Sequence, residues 1–242
     1  NGCSKTSQIT ITVIPLPIVN ANTTAFHVCS GNATTLTGSG SFSSGPPVYS
    51  WNNGVTNGVA FTPNATNTYI VTGSDANGCS KTSSILITVN PLPAVGATAT
   101  PSATICTGTS VTLSGTGASS YIWNNGVTNG VSFTFTSTNT YVVTGTDANG
   151  CTNTSSIVIT VNPLPIVTAN AMPSSSICAG TSITLYGTGA SSYIWNNGVT
   201  NGVSFTPTST NTYVVTGTDA NGCTNTTSIL ITVNANPNPI IT

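Results

Sequence analysis

The sequence is almost without charge. Only 2% of its 242 residues are charged, whereas an ordinary soluble domain carries about a quarter. It has two lysines, three aspartates and one histidine, and it lacks glutamate and arginine. With a net charge of −1 it offers no basic patch that would neutralise phosphates, so we predict no nucleic-acid partner. Asn, Thr, Ser and Gly must hydrate the surface instead.

The groups that catalysis needs are equally scarce. General acid-base chemistry requires positioned His, Glu, Asp or Lys side chains, and a nucleophile requires a base beside it. This chain has abundant hydroxyls and almost no bases. We therefore predict that it is not an enzyme and that it uses no cofactor.

Long apolar runs are also lacking. Each run is much shorter than the roughly 18 to 20 residues that span a bilayer, so no membrane helix is predicted. The first residues, NGCSKTSQITITV, have neither a charged leader nor an apolar signal core. We expect any export signal to lie outside this sequence or to have been removed.

One sequence motif occurs three times in the chain. YIWNNGVTNGVSF occupies residues 121–133 and returns at 193–205, and the near copy YSWNNGVTNGVAF lies at 49–61. The motif tryptophans recur every 72 residues, at Trp51, Trp123 and Trp195. The first spacing between matching cysteines is 76 or 77 residues, because the segment SGSFSSGPPVY before Trp51 carries a loop insertion.

The period divides the chain into three full units, which we call repeats 1, 2 and 3, and two partial ones. The first partial unit matches the C-terminal strand of a preceding repeat, because NGCSKTSQITITV aligns with NGCSKTSSILITV in repeat 1, and the last matches the start of the next linker. We therefore expect the sequence to be a window from a longer array. The predicted segments are 1–14, 15–90, 91–162, 163–234 and 235–242.

Alternation of apolar and polar residues predicts several short strands in each repeat and no helix. In repeat 2 the predicted strands are 94–105, 109–115, 119–124, 130–135, 140–146 and 154–161. The predicted inward residues are Val111, Leu113, Tyr121, Trp123, Val131, Phe133, Tyr141, Val143, Ile157, Ile159 and Val161. Asn-Gly at 125–126 and at 149–150 favours tight turns. Short strands at this spacing are typical of an all-β sandwich.

The repeats resemble a known domain class. The pattern runs C-x-G-x-S-x-T-L, Y-x-W, T-x-T-Y-x-V-T-G-x-D-A-N-G-C and I-x-I-T-V-N-P. In repeat 2 it is carried by Cys106, Gly108, Ser110, Thr112, Leu113, Tyr121, Trp123, Tyr141, Asp147, Asn149, Gly150, Cys151 and Val161. This is similar to the Ig-like and PKD-like tandem repeats of giant secreted surface proteins of Bacteroidota. The resemblance covers all three repeats and implies an extracellular or cell-surface stalk, adhesin or filament, commonly exported by type 9 secretion.

Seven cysteines indicate an oxidising compartment. Each full repeat has two, and their wide spacing lacks the close pairs typical of a metal site. We prefer pairing within each repeat, because it leaves only Cys3 unpaired; closing a loop of about 46 residues would add roughly 4 kcal/mol on the chain-entropy model. The preferred pairs are Cys29 with Cys79, Cys106 with Cys151 and Cys178 with Cys223.

The alternative pairing follows if the strand order is Ig-like. The turns that carry Cys106 and Cys151 then lie at opposite ends of one domain, too far apart for a bond whose Cα atoms must be within about 7 Å. In that case Cys29 pairs with Cys151 and Cys106 with Cys223, which joins neighbouring repeats. A peptide containing Cys106 and Cys223 would exclude the pairing within repeats.

Several side chains are candidates for binding, and each has a structural interpretation that we prefer. An aspartate recurs in D-A-N-G; we expect it to form a turn, since calcium needs several carboxylates. His27 has Thr104 and Ser176 as its counterparts, so we assign it no function. The aromatic residues would stack on sugars if exposed, but their strand positions favour the core. The aspartates are Asp75, Asp147 and Asp219, and the predicted core aromatics are Trp51, Trp123, Trp195, Tyr69, Tyr141 and Tyr213.

Proline-rich joints precede the repeats. They restrict the backbone and favour an extended, semi-rigid connection, and the central leucines are expected to fill the contact between successive domains. The joint residues are Pro15, Leu16, Pro17, Pro91, Leu92, Pro93, Pro163, Leu164 and Pro165.

These features predict a structural role outside the cell. We expect a rod on the order of 100 Å long, built of tandem Ig-like or PKD-like domains. Because charge neither protects the sheet edges nor keeps chains apart, copies are expected to associate laterally or end to end into a filament. The alternative is an adhesin that recognises polysaccharide or another surface through its Thr, Ser and Asn side chains. Ice binding would require a much shorter repeat.

Overall fold

The computed structural model describes residues 1–237, and all regular structure within them is β-strand. The strands are rich in Thr, Val, Ile and Tyr, which favour extended backbone. Two compact units are formed. The first consists of 1–94, 117–120 and 145–153, and the second of 95–116, 121–144 and the residues from 154 onwards.

Each repeat contains seven strands. Those of repeat 1 are β1 (Ile18–Thr23), β2 (His27–Cys29), β3 (Thr34–Ser41), β4 (Val48–Trp51), β5 (Ala60–Phe61), β6 (Asn67–Ser74) and β7 (Ser80–Asn90). Those of repeat 2 are β8 (Gly96–Thr100), β9 (Thr104–Cys106), β10 (Ser110–Thr116), β11 (Ser120–Trp123), β12 (Ser132–Thr134), β13 (Asn139–Thr146) and β14 (Thr152–Asn162). Those of repeat 3 are β15 (Thr168–Met172), β16 (Ser176–Cys178), β17 (Ile183–Thr188), β18 (Ser192–Trp195), β19 (Ser204–Phe205), β20 (Asn211–Thr218) and β21 (Thr224–Asn234).

Every repeat is a sandwich of a three-stranded and a four-stranded sheet. The three-stranded sheets have the orders β1-β3-β5, β12-β10-β8 and β15-β17-β19. The four-stranded sheets have the orders β2-β7-β6-β4, β11-β13-β14-β9 and β16-β21-β20-β18. The predicted all-β, Ig-like sandwich fold is therefore confirmed. The segment at 94–105, predicted as one strand, forms two strands that belong to different sheets.

The second short strand of each repeat pairs with the end of the last strand, and this pairing is parallel. In repeat 1 the register places Cys29 opposite Asn90, and in repeat 2 it places Cys106 opposite Asn162. The first cysteine of each repeat is thereby fixed beside the residue that leads into the following linker.

The core of repeat 2 lies between its two sheets. Val111, Leu113 and Trp123 are buried as predicted. The predicted inward face of β12 is wrong, because Val131 and Phe133 are exposed and Phe135 is buried instead. The Phe135 ring packs against Tyr141 with 4.9 Å between centroids. Repeats 1 and 3 have proline at the position of Phe135, so this inward ring is particular to repeat 2.

The two Asn-Gly sites form turns of different kinds. Asn125 and Gly126 both have positive φ, at 55° and 73°, as a type I′ turn requires. At the second site only Gly150 has positive φ, at 79°. Asn-Gly therefore marks a turn in both places, but the mirror-image geometry is confined to the first.

Residues 1–17 contain no strand, so the strand predicted within 1–14 is not formed. The physical reason lies in its counterparts: β7 and β21 pair along their length with the strand that precedes them, β6 and β20. No strand precedes residues 1–14 in the described structure to pair with them, and Ile9, Ile11 and Val13 are exposed. The predicted linker at 235–242 lies mostly outside the described residues, since the structure describes it only as far as residue 237.

Candidate functional site at the proline joints

Two disulfides connect the first cysteine of one repeat to the second cysteine of the next. Cys29 bonds Cys151, and Cys106 bonds Cys223, each with 5.5 Å between Cα atoms. The preferred pairing within repeats is therefore wrong, and the alternative pairing is the one formed. Cys3 is free, and Cys79 and Cys178, which we had expected to be bonded, are free as well.

Strand length explains the error. Cys29 lies beside Asn90 at the end of β7, whereas Cys79 comes directly before Ser80, at the start of the same strand. An 11-residue strand extends roughly 35 Å at about 3.3 Å per residue. That separation exceeds the reach of a disulfide about fivefold, so the two cysteines of one repeat cannot meet.

The turn that carries the second cysteine lies against a proline joint. Asn153 Nδ2 donates a hydrogen bond to the Pro93 carbonyl oxygen at 3.0 Å, and Asn225 Nδ2 donates to Pro165 in the same way. Cys151 and Cys223 are completely buried, at 0% exposure. The joints at Pro93 and Pro165 thus each combine a disulfide, an amide-to-carbonyl hydrogen bond and a proline without an N–H donor.

The joint leucines do not fill a contact as we had expected. Leu16, Leu92 and Leu164 are between 38% and 67% exposed. The second proline of each joint is buried instead, at Pro17, Pro93 and Pro165. The rigid ring therefore supplies the apolar packing at these positions, while the leucine faces outward.

The recurring aspartate forms the turn that presents the second cysteine. Asp147 Oδ1 accepts hydrogen bonds from the backbone N–H groups of Asn149 and Cys151, at 2.9 and 2.8 Å. Asp75 and Asp219 accept the equivalent pair of bonds. Within residues 1–237 no group of three or more His, Cys, Asp or Glu side chains is placed to hold a metal ion. The aspartates orient the cysteine-bearing backbone, and we assign them no cation.

The tryptophan motif contains an asparagine that our sequence interpretation missed. Asn129 Oδ1 accepts hydrogen bonds from Trp123 Nε1, at 3.0 Å, and from the Gly115 N–H, at 2.7 Å. Trp123 ends β11 in the four-stranded sheet, and Gly115 lies on β10 in the three-stranded sheet. Asn57 and Asn201 make the same bonds in repeats 1 and 3. The same asparagine occurs in all three repeats, and this is the sequence feature that could have identified it.

The predicted core aromatics are all buried. Their exposures lie between 5% and 7%, for Trp51, Trp123, Trp195, Tyr69, Tyr141 and Tyr213. Their faces pack inside the sandwich and are not available to stack on a sugar ring. His27 is exposed on β2, where it lies opposite Thr88.

The outer face of the four-stranded sheet carries hydroxyl and aliphatic side chains. In repeat 3 the register places Ile194 beside Thr216, and Thr216 beside Thr226. Ile194 is 74% exposed, and its counterpart Ile122 is 75% exposed. This face presents an uncharged surface of hydroxyl and aliphatic groups.

An open cleft of about 400 Å³ lies at the aromatic edge of repeat 1, and one of equal size lies in repeat 3. The first is lined by residues that include Phe61, Pro63 and Tyr69, and the second by their counterparts. In repeat 2 the buried ring of Phe135 stands in place of the cleft proline. The cleft has no charged lining residue, and we assign it no ligand.

No helix in the described residues is long and apolar enough to cross a membrane. No family model matches the sequence, and no curated protein matches it.

Several solved structures are similar to this chain at low identity. A Ca²⁺-stabilised adhesin that helps an Antarctic bacterium to reach out and bind ice has a TM-score of 0.39 and 20% identity, over 93% of this chain and 75% of that one. A 1.5-MDa bacterial ice-binding adhesin has a TM-score of 0.35 and 18% identity, over 93% and 100%. The outer capsid protein Hoc of bacteriophage RB49 has a TM-score of 0.35 and 13% identity, over 91% and 100%. We transfer no function from likenesses at this level.

Proposed function

We propose that this chain is a segment of the shaft of an extracellular filament or surface stalk. The observation that carries the proposal is the pair of joint disulfides, Cys29–Cys151 and Cys106–Cys223. Each bond joins the first cysteine of one repeat to the second cysteine of the next repeat. A covalent bond repeated at successive joints transmits tension between domains, which is what a shaft must do.

The disulfides also support an extracellular location. Such bonds persist in oxidising compartments and are rare in the cytosol. They close long loops, with sequence separations of 122 and 117 residues, and loops of that length are worth about 4 to 5 kcal/mol each on the chain-entropy model. That stabilisation suits a protein that functions outside the cell.

The proline-rich linkers favour extended, semi-rigid connections between repeats, because proline restricts the backbone and lacks an N–H donor. The Asn153 and Asn225 hydrogen bonds hold two of these linkers, at Pro93 and Pro165. The uncharged outer sheet faces favour association with copies of the same chain, because no repulsion between like charges opposes it.

The finer assignments belong to this proposal. They are membership of the PKD-like surface repeats of Bacteroidota, export by type 9 secretion and the absence of enzymatic activity. They follow from the sequence resemblance and from the lack of catalytic bases.

Immunogold electron microscopy of native surface material tests the proposal. Antibodies against this chain should label surface fibres repeatedly along their length, at intervals commensurate with whole domains. Label confined to the fibre tip would contradict a shaft and favour the alternative, an adhesin that contacts polysaccharide or another surface. Label confined to the cytoplasm would contradict both functions.

A further inference from the structure

We propose that Cys79 and Cys178 are the two open halves of another joint disulfide, which links this segment to adjoining repeats of the same kind. The bond would follow the pattern of Cys29–Cys151 and Cys106–Cys223. The inference rests on the proposed shaft function and names the partner: a cysteine thiol of a second copy of this chain, or of a further repeat in a longer chain.

Cys178 occupies the same backbone position as the bonded first cysteines. It ends β16 and lies opposite Asn234, as Cys106 ends β9 and lies opposite Asn162. The N–H of the following residue, Ala179, donates to the Asn234 carbonyl oxygen at 2.8 Å, and the Thr107 N–H makes the equivalent bond at 2.9 Å. Unlike Cys106, Cys178 is exposed and unbonded.

Cys79 occupies the same position as the bonded second cysteines. Its N–H donates to Asp75 Oδ1 at 2.9 Å, as the Cys151 N–H donates to Asp147 Oδ1 at 2.8 Å. Cys151 is completely buried in its joint, whereas Cys79 is only half-buried. The turn is therefore built to present a thiol, and in repeat 1 that thiol has no partner.

Lys81 stands where Asn153 and Asn225 donate to a proline carbonyl oxygen. A lysine ammonium group donates hydrogen bonds as an amide does, and Lys81 is exposed. Pro93 and Pro165 belong to the joints that open the repeats of Asn153 and Asn225, and the corresponding proline of repeat 1 is Pro17, so a Lys81 hydrogen bond would hold the linker of its own chain beside the turn that presents Cys79.

The two half-sites differ from each other, so a bond between copies is heterologous. Cys178 of one copy would bond Cys79 of the next, and each added copy leaves one half-site open at either end. Contacts of this type that do not close into a ring generate linear polymers. The predicted product is a head-to-tail chain of copies.

The bond needs an oxidant, and a glutathione-type disulfide supplies it. The Cys178 thiolate attacks the small disulfide, forming a mixed disulfide and releasing one small thiolate. The Cys79 thiolate of the second copy then attacks the Cys178 sulfur and releases the other. Two protein thiols are oxidised to one disulfide, and one small-molecule disulfide is reduced to two thiols.

The test uses the full chain with the exposed Cys3 replaced, as Cys3→Ser. After incubation with reduced and oxidised glutathione, non-reducing electrophoresis should show a ladder of covalent multimers. Peptide mapping should identify a Cys178–Cys79 link between copies. Persistently monomeric chains, with Cys79 and Cys178 free or joined to glutathione, would overturn the proposal for copies.

Two further variants distinguish a specific bond from random oxidation. Cys79→Ser and Cys178→Ser should each remain monomeric alone, because neither retains both halves. Mixed together, they should give dimers and nothing larger. Dimers of either variant alone would reveal symmetric Cys–Cys oxidation and contradict the proposal.

Native surface material separates the two sources of the thiol. A partner peptide containing SSSICAG, the sequence around Cys178, indicates a second copy, whereas a related but different peptide indicates a further repeat. Free Cys79 and Cys178 in native fibres would refute both. The same map reports Cys29–Cys151 and Cys106–Cys223: their presence beside free Cys79 and Cys178 rejects only this inference, and their absence removes the support for the shaft function.

Discussion

Asn129 Oδ1 lies 3.0 Å from Trp123 Nε1 and, through its second hydrogen bond, fixes the backbone of Gly115. One oxygen atom therefore joins the two sheets of the sandwich. Within residues 1–237 no buried side-chain nitrogen or oxygen lacks a hydrogen bond, and this arrangement satisfies the buried indole. The repeated WNNGVTNG motif is explained by this contact: its final asparagine holds its tryptophan and the facing sheet together.

Asn129→Ala is expected to destabilise the chain by about 2 to 4 kcal/mol, because two N–H donors lose their acceptor in a half-buried place. Denaturant unfolding followed by circular dichroism measures the change. Thr128→Ala, at the exposed neighbouring residue, is the matched control and should change stability by less than about 0.5 kcal/mol. Equal effects of the two substitutions would show that Asn129 does not join the sheets.

The two phenylalanines of repeat 2 should respond differently to truncation. Phe135 is 1% exposed and Phe133 is 46% exposed. Phe135→Ala should cost about 3 to 5 kcal/mol through a core cavity, and Phe133→Ala about 1 kcal/mol. Thermal and denaturant unfolding of both variants provides the comparison. A larger loss of stability for Phe133→Ala would support the sequence-based prediction that Phe133 points into the core.

Asp147 is expected to act through its hydrogen bonds and without calcium. Asp147→Asn keeps the accepting oxygen and should be nearly neutral, while Asp147→Ala leaves two N–H groups without their acceptor and should cost about 1 to 2 kcal/mol. Millimolar calcium or a chelator should leave the melting temperature of all three chains unchanged. A calcium-dependent rise that Asp147→Asn abolishes would instead establish a cation site.

Pulling single molecules tests the disulfide connectivity. In the variant Cys29→Ser with Cys151→Ser, the remaining Cys106–Cys223 bond prevents the 117 residues that it encloses from extending under force. Reductant should therefore lengthen the fully unfolded chain by roughly 400 Å at about 3.4 Å per residue. Pairing within repeats would leave only a Cys178–Cys223 bond in this variant and release roughly 150 Å.

The sequence predicted the sandwich because its strands alternate cleanly and its turns carry Asn-Gly. It failed where the outcome depends on contacts between distant segments. The inward ring of repeat 2 is Phe135, although both phenylalanines fit the period-two pattern. Periodicity predicts that Phe133 and Phe135 share a face. Because β12 ends at Thr134, the alternation of the strand does not determine which of the two rings points into the core.

The preference between the two disulfide pairings was wrong for a related reason. Pairing Cys106 with Cys151 was preferred because it leaves fewer unpaired thiols. That argument counts cysteines and ignores the direction in which the strands run. The parallel register of β9 with β14 decides the matter, because it sends the two cysteines of a repeat to opposite ends. Asn129 was overlooked because an asparagine between turn residues is ordinarily assigned to the turn itself.

The parallel pairing of β9 with the end of β14 has a mechanical consequence. When the Cys106–Cys223 bond is reduced, tension applied across repeat 2 draws β9 toward the N-terminus and the end of β14 toward the C-terminus, so these strands slide along each other. Thr104, Ile105 and Cys106 lie opposite Thr160, Val161 and Asn162, and the hydrogen bonds of this short pairing share the load simultaneously. An antiparallel hairpin pulled from its open end would lose them one at a time. The intact Cys106–Cys223 bond ties the last residue of β9 to repeat 3 and so protects the pairing, which is loaded in shear only after that bond is reduced.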